Sequence, residues 1–188
     1  MSTKSLHSLL VAISRALQCE QRQQAVAAGL PAVQWNILHY LSMANRYSNT
    51  PQALTEYLGL TKGTVSQSLK RLEARGWVER IADAQDGRVV RLLLSRDGAR
   101  QLDDTVEAEW HAAAAALPAP QRDAAEAALR QLLTGWQQSR QGRSFGVCRS
   151  CTHFRAGSDE HRCGLTGEPL SDDDSTRICR EHNYPSLR

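Results

Sequence analysis

Between Thr50 and Gly76 the sequence TPQALTEYLGLTKGTVSQSLKRLEARG carries two short apolar sets that a pair of helices joined by a tight turn can bury together. Leu54, Leu58 and Leu60 bracket Gly59, and Val65, Leu69 and Leu72 recur at the i, i+4, i+7 spacing of one helix face. Thr61 is the predicted N-cap of the second helix, its hydroxyl available to a free N–H of the first turn. At about 100° per residue, this seam turns Gly63, Gln67, Lys70 and Arg71 outward and leaves Thr64 and Ser66 on the flanks. The outer face has no carboxylate before Glu73. Gln, Ser and Thr can meet base edges in a DNA major groove, while Lys and Arg meet phosphates. A helical hairpin with a solvated polar face fits the same stretch.

The next residues separate the two. Trp77 to Ile81 and Arg88 to Leu94 are rich in branched and aromatic residues, and the Ala82 to Gly87 segment between them ends in Asp-Gly, a turn signal. They predict a β-hairpin, and a helix-turn-helix leading directly into a hairpin is a winged helix. The wing tip carries Asp83, Asp86, Arg88 and Arg91. An arginine there can enter a narrow minor groove, and Asp86 is expected to pair with Arg88 and hold it.

With these residues in place the chain resembles the multiple-antibiotic-resistance regulator (MarR) family. The resemblance is carried by LTEYLGLTKGTVSQSLKRLEARGWVER and by the wing DAQDGRVVRLLLSRDGARQL, and it spans roughly Leu6 to Arg140. It implies a homodimeric DNA-binding transcription factor, usually a repressor, whose first and last helices form the dimer interface. It also places Thr64, Gln67, Lys70 and Arg71 on the recognition helix and Arg88 at the wing tip. A small-molecule effector pocket between the dimerisation and DNA-binding parts is common in the family, and Trp35, His39 and Tyr40 are candidates to line it. Core packing is the expected role of Trp35. The segment from Phe145 onward has no counterpart in the usual family member.

A chain of 188 residues has room for one domain of ordinary size and a small appendage. Its formal charge of +3 neither requires nor excludes nucleic acid. The placement is more telling, since Lys62, Lys70, Arg71, Arg75, Arg80, Arg88 and Arg91 crowd the predicted DNA-facing segment. No apolar run is long enough for a membrane span, and the N-terminal stretch lacks a small-residue cleavage site, so a cytoplasmic protein is expected. In that compartment clustered cysteines bind metal more often than they form disulfides.

Leu6, Leu9, Leu10, Ile13 and Leu17 form the apolar stripe of a first helix that ends before Gly29 and Pro31. A second helix from Pro31 carries Val33, Trp35, Ile37, Leu38 and Leu41, and 45–51 is a loop by composition. After the wing, Ser95 is expected to cap one long helix through Leu102, Val106 and Trp110 to Leu117, which Pro118 and Pro120 end. The last helix sets Ala125, Ala128, Leu129, Leu132, Leu133 and Trp136 in a continuous seam. Long terminal seams call for a partner, and a second copy would match the two half-sites of a palindromic double-stranded operator. Residues 137–144 read as a polar linker.

The tail then places Cys148, Cys151, Cys163 and Cys179 in a C-x2-C-x11-C-x15-C pattern. Four thiolates suit a tetrahedral metal site or the corners of a cluster. With so few apolar residues, the tail needs metal binding to supply folding free energy. Zinc is the default for a small four-cysteine module, with an iron–sulfur cluster as the alternative. His153, His161 and His182 are expected to be exposed or to lie behind the ligands, and Asp172, Asp173 and Asp174 to form a solvated run. Cys19, alone in the first helix, is expected to be a small packing residue.

The expected architecture is mainly α with a small β-hairpin. A winged helix-turn-helix with long dimerisation helices fills residues 1–140, and a four-cysteine metal-binding module fills 141–188. Four thiolates would close a zinc site to catalysis, and the chain has no nucleophile elbow, phosphate loop or H-E-x-x-H, so no enzymatic activity is expected. The competing reading is a protein-docking adaptor that uses the winged helix as scaffold and the tail as a structural zinc module.

Overall fold

The computed structural model describes residues 3–84, 86–102, 105–139, 144–157 and 160–184, with no account of the side chains of 105–108. Helix α1 (Thr3–Ala27) leads into α2 (Ala32–Met43), whose Trp35, Ile37, Leu38, Tyr40 and Leu41 are all buried. A helix buried on so many sides is the centre of its domain. Around it pack α3 (Pro51–Leu58), α4 (Lys62–Ala74) and the hairpin of β1 (Val78–Ala82) and β2 (Val90–Leu94).

The local signals act as the sequence predicts. Thr50 caps α3 through the N–H of Ala53 at 3.1 Å, with Pro51 in the first turn where its missing N–H costs nothing. Gly59 ends α3 in the left-handed region at φ 63°, and Thr61 caps α4 by accepting from Thr64 N at 3.2 Å. Val65, Leu69 and Leu72 face the core. In the antiparallel hairpin Val78 lies opposite Leu94 and Ile81 opposite Arg91, with Val78 and Leu92 buried.

The helix expected to run from Ser95 to Leu117 is two helices. Ser95 caps α5 (Arg96–Ala99), which stops at Arg100, and α6 spans Thr105–Ala115. Gly98, a weak helix former, lies so close to the wing's base that a Cβ there would stand 2.3 Å from the Trp77 carbonyl oxygen, so tertiary packing fixes this turn. Helix α7 (Ala119–Ser139) follows. It takes in the first three residues of the expected linker, whose 140–143 lie outside the described residues.

The tail adds β structure that the fold-class expectation did not contain. Strand β3 (Gly146–Val147) pairs antiparallel with β7 (Ile178–Cys179), and β4 (Phe154–Arg155), β5 (His161–Cys163) and β6 (Pro169–Leu170) make a three-stranded sheet. A 3-10 turn (Cys148–Ser150) and α8 (Asp172–Thr176) complete the module. Its small core of Cys148, Leu170 and Cys179 takes Tyr47 from the winged helix as a wall. The tail lies against the end of α2, where Asn45 N donates to Ile178 O at 3.0 Å beside an Ala44–Ile178 bridge.

Candidate nucleic-acid interface and cysteine site

With Val65, Leu69 and Leu72 turned inward, Thr64, Ser66, Gln67, Lys70 and Arg71 are all exposed on the outer face of α4, as is Lys62. The Thr64 hydroxyl is partly engaged, at 2.9 Å from the Thr61 hydroxyl. Glu73, the first carboxylate of the helix, is paired with Arg80 of β1, which takes its negative charge off the basic face.

At the wing tip Arg88 is exposed, but Asp86 does not hold it as expected. The Asp86 carboxylate accepts the backbone N–H of Arg88 at 3.0 Å, and the Asp83 carboxylate accepts that of Asp86 at 3.0 Å. Short acidic side chains satisfy turn N–H groups in this way, so Asp86 shapes the turn through the Arg88 backbone. At the tip the ion pair that forms is instead Arg91 with Asp83, Nε to Oδ2 at 2.6 Å.

Arg91 also reaches inward. Its Nη1 donates to the carbonyl of Arg46 at 2.6 Å, while Leu92 N donates to the carbonyl of Asn49 at 2.7 Å. The 44–50 loop is thus fastened to the wing. From the core side, Tyr40 donates its hydroxyl to Ser48 O at 2.8 Å, and burial holds that phenol well above its ordinary pKa. From the tail, Arg180 N donates to Ser48 Oγ at 2.7 Å, Arg177 donates to Ser42 O at 2.7 Å, and Tyr47 donates to Glu168 at 2.5 Å. Arg46 faces Asp174 at 3.7 Å and Glu168 at 4.0 Å. A loop recognised only by composition is the joint between core, wing and tail.

All four tail cysteines border one cavity of about 40 Å³, walled otherwise by Tyr47, Phe154 and Leu165 among others. Cys148 and Cys179 are buried, Cys151 and Cys163 half-buried, and none is in a disulfide. Burial pushes the Cys148 thiol up to about 12, and the neighbouring Cys179, Cys151 and Cys163 add to that by charge. Burial also raises Cys179, against which the Asn45 side chain and the Glu181 backbone act by hydrogen bonding. Asn45 is 1% exposed. Its Oδ1 accepts from Ser48 Oγ and Tyr47 N, while its Nδ2 has no nitrogen or oxygen partner. Backbone N–H groups of His153 and Asn183 lie 3.5 and 3.4 Å from Cys151 Sγ.

Such donors favour an ionised sulfur, the form that binds metal. Among the described residues no three His, Cys, Asp or Glu side chains are grouped so as to hold a metal ion.

The structure places the remaining polar groups of the tail. His182 is buried, with Ser144 Oγ 2.7 Å from Nδ1 and Ser150 Oγ 2.9 Å from Nε2, and burial lowers its pKa to about 4. The polar partners remove the cost of burying the ring. Asp172 and Asp173 are exposed, as expected of the acidic run, but they stand in the first turn of α8, capped by Ser171, whose Oγ accepts from Asp174 N at 3.0 Å, and Asp174 itself is buried. A serine three residues before an acidic residue is a capping signal that was present in the sequence. His161 faces Asp172 at 3.3 Å, and His153 borders the cysteine cavity.

Trp35 is a core residue, stacked on His39 at 4.9 Å, and Tyr40 is fully buried. Cys19 is exposed on α1, contrary to the expected packing role, with Gln23 Nε2 3.8 Å from its sulfur. The terminal helices leave Leu6, Leu10, Leu129, Leu132, Leu133 and Trp136 around an open apolar groove of about 810 Å³. No helix among the described residues is long and apolar enough to cross a membrane.

A helix-turn-helix whose second helix shows a basic outer face, followed by a two-stranded wing, is a winged helix. Residues 28–89 match the model of the MarR family. The sequence matches no curated protein. Among solved structures, the Q18P mutant of MepR from a multidrug-resistant S. aureus isolate is similar, with 22% identity, a TM-score of 0.58 and coverage of 70% of this chain and 97% of its own. S. aureus MepR in complex with DNA is 23% identical, with a TM-score of 0.55 and coverage of 73% and 100%. A MarR transcriptional regulator from Methanosarcina mazei Go1 is 20% identical, with a TM-score of 0.56 and coverage of 72% and 99%. At these identities the likeness shows the fold, and each of those chains is nearly used up by a match that leaves part of this one over.

Proposed function

We propose that this chain is a homodimeric, sequence-specific DNA-binding transcriptional repressor whose cysteine module is a metal site fastened to the DNA-reading unit. The observation that carries the reading is the outer face of α4, where Thr64, Ser66, Gln67, Lys70 and Arg71 stand exposed with no unpaired carboxylate among them. MepR, which shares the fold, is solved with DNA bound. In this reading α4 enters the major groove, Gln67, Thr64 and Ser66 meet base edges, Lys70 and Arg71 meet phosphates, and Arg88 reaches the minor groove.

The apolar faces of α1 and α7 support dimerisation, since Trp136 is 63% exposed and Leu129, Leu132 and Leu133 each more than 40%. Exposed apolar patches of this extent mark interaction surfaces. Two copies joined there would present two recognition helices to a palindromic operator. The cysteines contribute stability or sensing through the joint at 44–50, where the same backbone is bonded to the wing and to the tail.

Selection of a binding site from random duplexes, followed by salt titration of the affinity, tests the proposal. Affinity falls steeply with salt if Lys70, Arg71 and Arg88 neutralise phosphates, and Lys70→Ala lowers the logarithmic slope by about 1. Binding that ignores salt, or that survives Lys70→Ala with Arg71→Ala unchanged, sinks DNA recognition through α4 and favours the adaptor.

A further inference from the structure

We infer that Arg46 is a positioning residue for DNA recognition, through which the docked tail sets the wing that carries Arg88. This rests on the reading of Arg88 as a minor-groove contact and names what holds that contact in place.

Arg46 stands in the 44–50 loop and is gripped by the tail. Its side chain donates to the carbonyl of Pro169 and, at 2.9 Å, to the Tyr47 hydroxyl, and it faces Asp174 at 3.7 Å and Glu168 at 4.0 Å. Tyr47 in turn donates to Glu168 at 2.5 Å. The segment between β5 and β6 thus takes hold of two successive loop residues.

The backbone of the same arginine belongs to the wing. The Arg46 carbonyl accepts from Arg91 Nη1 at 2.6 Å, and Arg91 Nε pairs with Asp83 Oδ2 at 2.6 Å. Asp83 turns its other oxygen, Oδ1, to the N–H of Asp86 at 3.0 Å, and Asp86 Oδ1 accepts the N–H of Arg88 at 3.0 Å. Each step between residues, from Pro169 to the backbone of Arg88, is a hydrogen bond or an ion pair. Arg91 is the stiff link, because a guanidinium is planar and offers its donors in a fixed fork. With side chains 20% and 18% exposed, Arg91 and Asp83 are shielded from most competition by water.

The wing needs such support. It is a hairpin of two five-residue strands, and a two-stranded ribbon is marginally stable by itself. The 44–50 loop steadies it twice, through Arg46 O and through Asn49 O, which accepts from Leu92 N at 2.7 Å. A tip left loose would have to be ordered at the moment DNA binds, which costs roughly two- to tenfold in affinity for each rotamer-rich side chain immobilised.

The test is a double-mutant cycle on the full chain, with affinities of the parent, Arg46→Ala, Arg88→Ala and the double variant for a duplex selected with the parent. Arg46→Ala should weaken binding about three- to tenfold in the parent and leave it unchanged once Arg88 is alanine. Additive losses would mean that Arg46 meets phosphate by itself, and overturn the inference. Glu168→Ala loosens the same grip from the tail while removing a negative charge. Charge alone would tighten DNA binding, whereas positioning requires weaker binding that is again lost in the Arg88→Ala background. Tighter or unchanged binding by Glu168→Ala overturns the inference, and this variant decides the matter if Arg46→Ala does not fold. Should Arg88→Ala cost affinity while Arg46→Ala does not, the inference falls and the reading of the wing stands. If the parent selects no duplex, or Arg88→Ala costs nothing, both fall.

Discussion

Arg180 of the cysteine module and Glu56 of helix α3 form a two-pronged ion pair, Nε to Oε2 and Nη2 to Oε1, each at 2.8 Å. Glu56 sits on the first helix of the helix-turn-helix, and Arg180 follows Cys179 directly in sequence. One covalent step therefore separates a thiol of the cysteine site from the grip on the DNA-reading unit. The paired fork is pre-organised, and such charge-assisted bonds exceed ordinary ones in strength. Their side chains are 15% and 31% exposed, so solvent screens part of the attraction. Arg180→Ala is expected to destabilise the tail's docking by about 1–2 kcal/mol, read as faster hydrogen exchange of the amides of β7. A double-mutant cycle with Glu56→Gln should give a coupling of about 1 kcal/mol, and additive effects would mean that the pair does not carry the docking.

Gly98 makes a second prediction. A Cβ at this position would meet the Trp77 carbonyl oxygen at 2.3 Å and Leu94 Cδ1 at 2.9 Å, and a backbone carbonyl cannot swing aside as a flexible side chain can. Gly98→Ala should lower stability by about 1–3 kcal/mol despite alanine's better helix propensity, seen as a lower urea midpoint at unchanged slope. A midpoint that rises would mean that the packing at the wing's base is looser than these distances.

The helix-turn-helix was legible because each of its signals is local. Thr50, Thr61 and Gly59 act within one turn of where they stand, and Val65, Leu69 and Leu72 need only a helical period to define a face. The candidate DNA-contacting residues follow from that face. What the sequence hid depends on groups far apart in the chain. Nothing in NRYSNTP shows that Tyr47 walls a cysteine site more than a hundred positions away, or that Ser48 takes an N–H from Arg180. The split at Gly98 arises from contact with Trp77, and the burial of His182 depends on hydroxyls from Ser144 and Ser150. The C-x2-C pair and two later cysteines announced a common site, and all four border one cavity.

His182 should give the fold an acid-sensitive term. Burial lowers its pKa from 6.5 to about 4, and Arg130 adds to that by charge. Between those values the unfolded chain binds a proton that the folded chain refuses, so stability present above pH 6.5 is lost as pH falls towards 4. The full loss is about 2–4 kcal/mol by the linkage between pKa and free energy. Urea midpoints of the parent should therefore fall over this window more steeply than those of His182→Gln. Parallel pH profiles for the two proteins would show that the ring titrates normally in the fold.

The terminal helices yield the last prediction. Leu6 and Leu10 of α1 and Leu129, Leu132, Leu133 and Trp136 of α7 line one groove, and Trp136 is 63% exposed. If a second copy covers this face, Trp136 is an aromatic anchor of the kind whose truncation costs about 2–4 kcal/mol of association. Trp136→Ala should then weaken the dimer by at least about twentyfold in sedimentation equilibrium. The same variant should keep the urea slope expected for its folded monomer, since the residue contributes little to the core of its own chain. DNA binding should change in a particular way: affinity for a single half-site is retained, and the advantage of a palindrome over a half-site is lost. A variant that remains a tight dimer would move the interface away from α7, and one that unfolds would show that the groove belongs to the fold of the single chain.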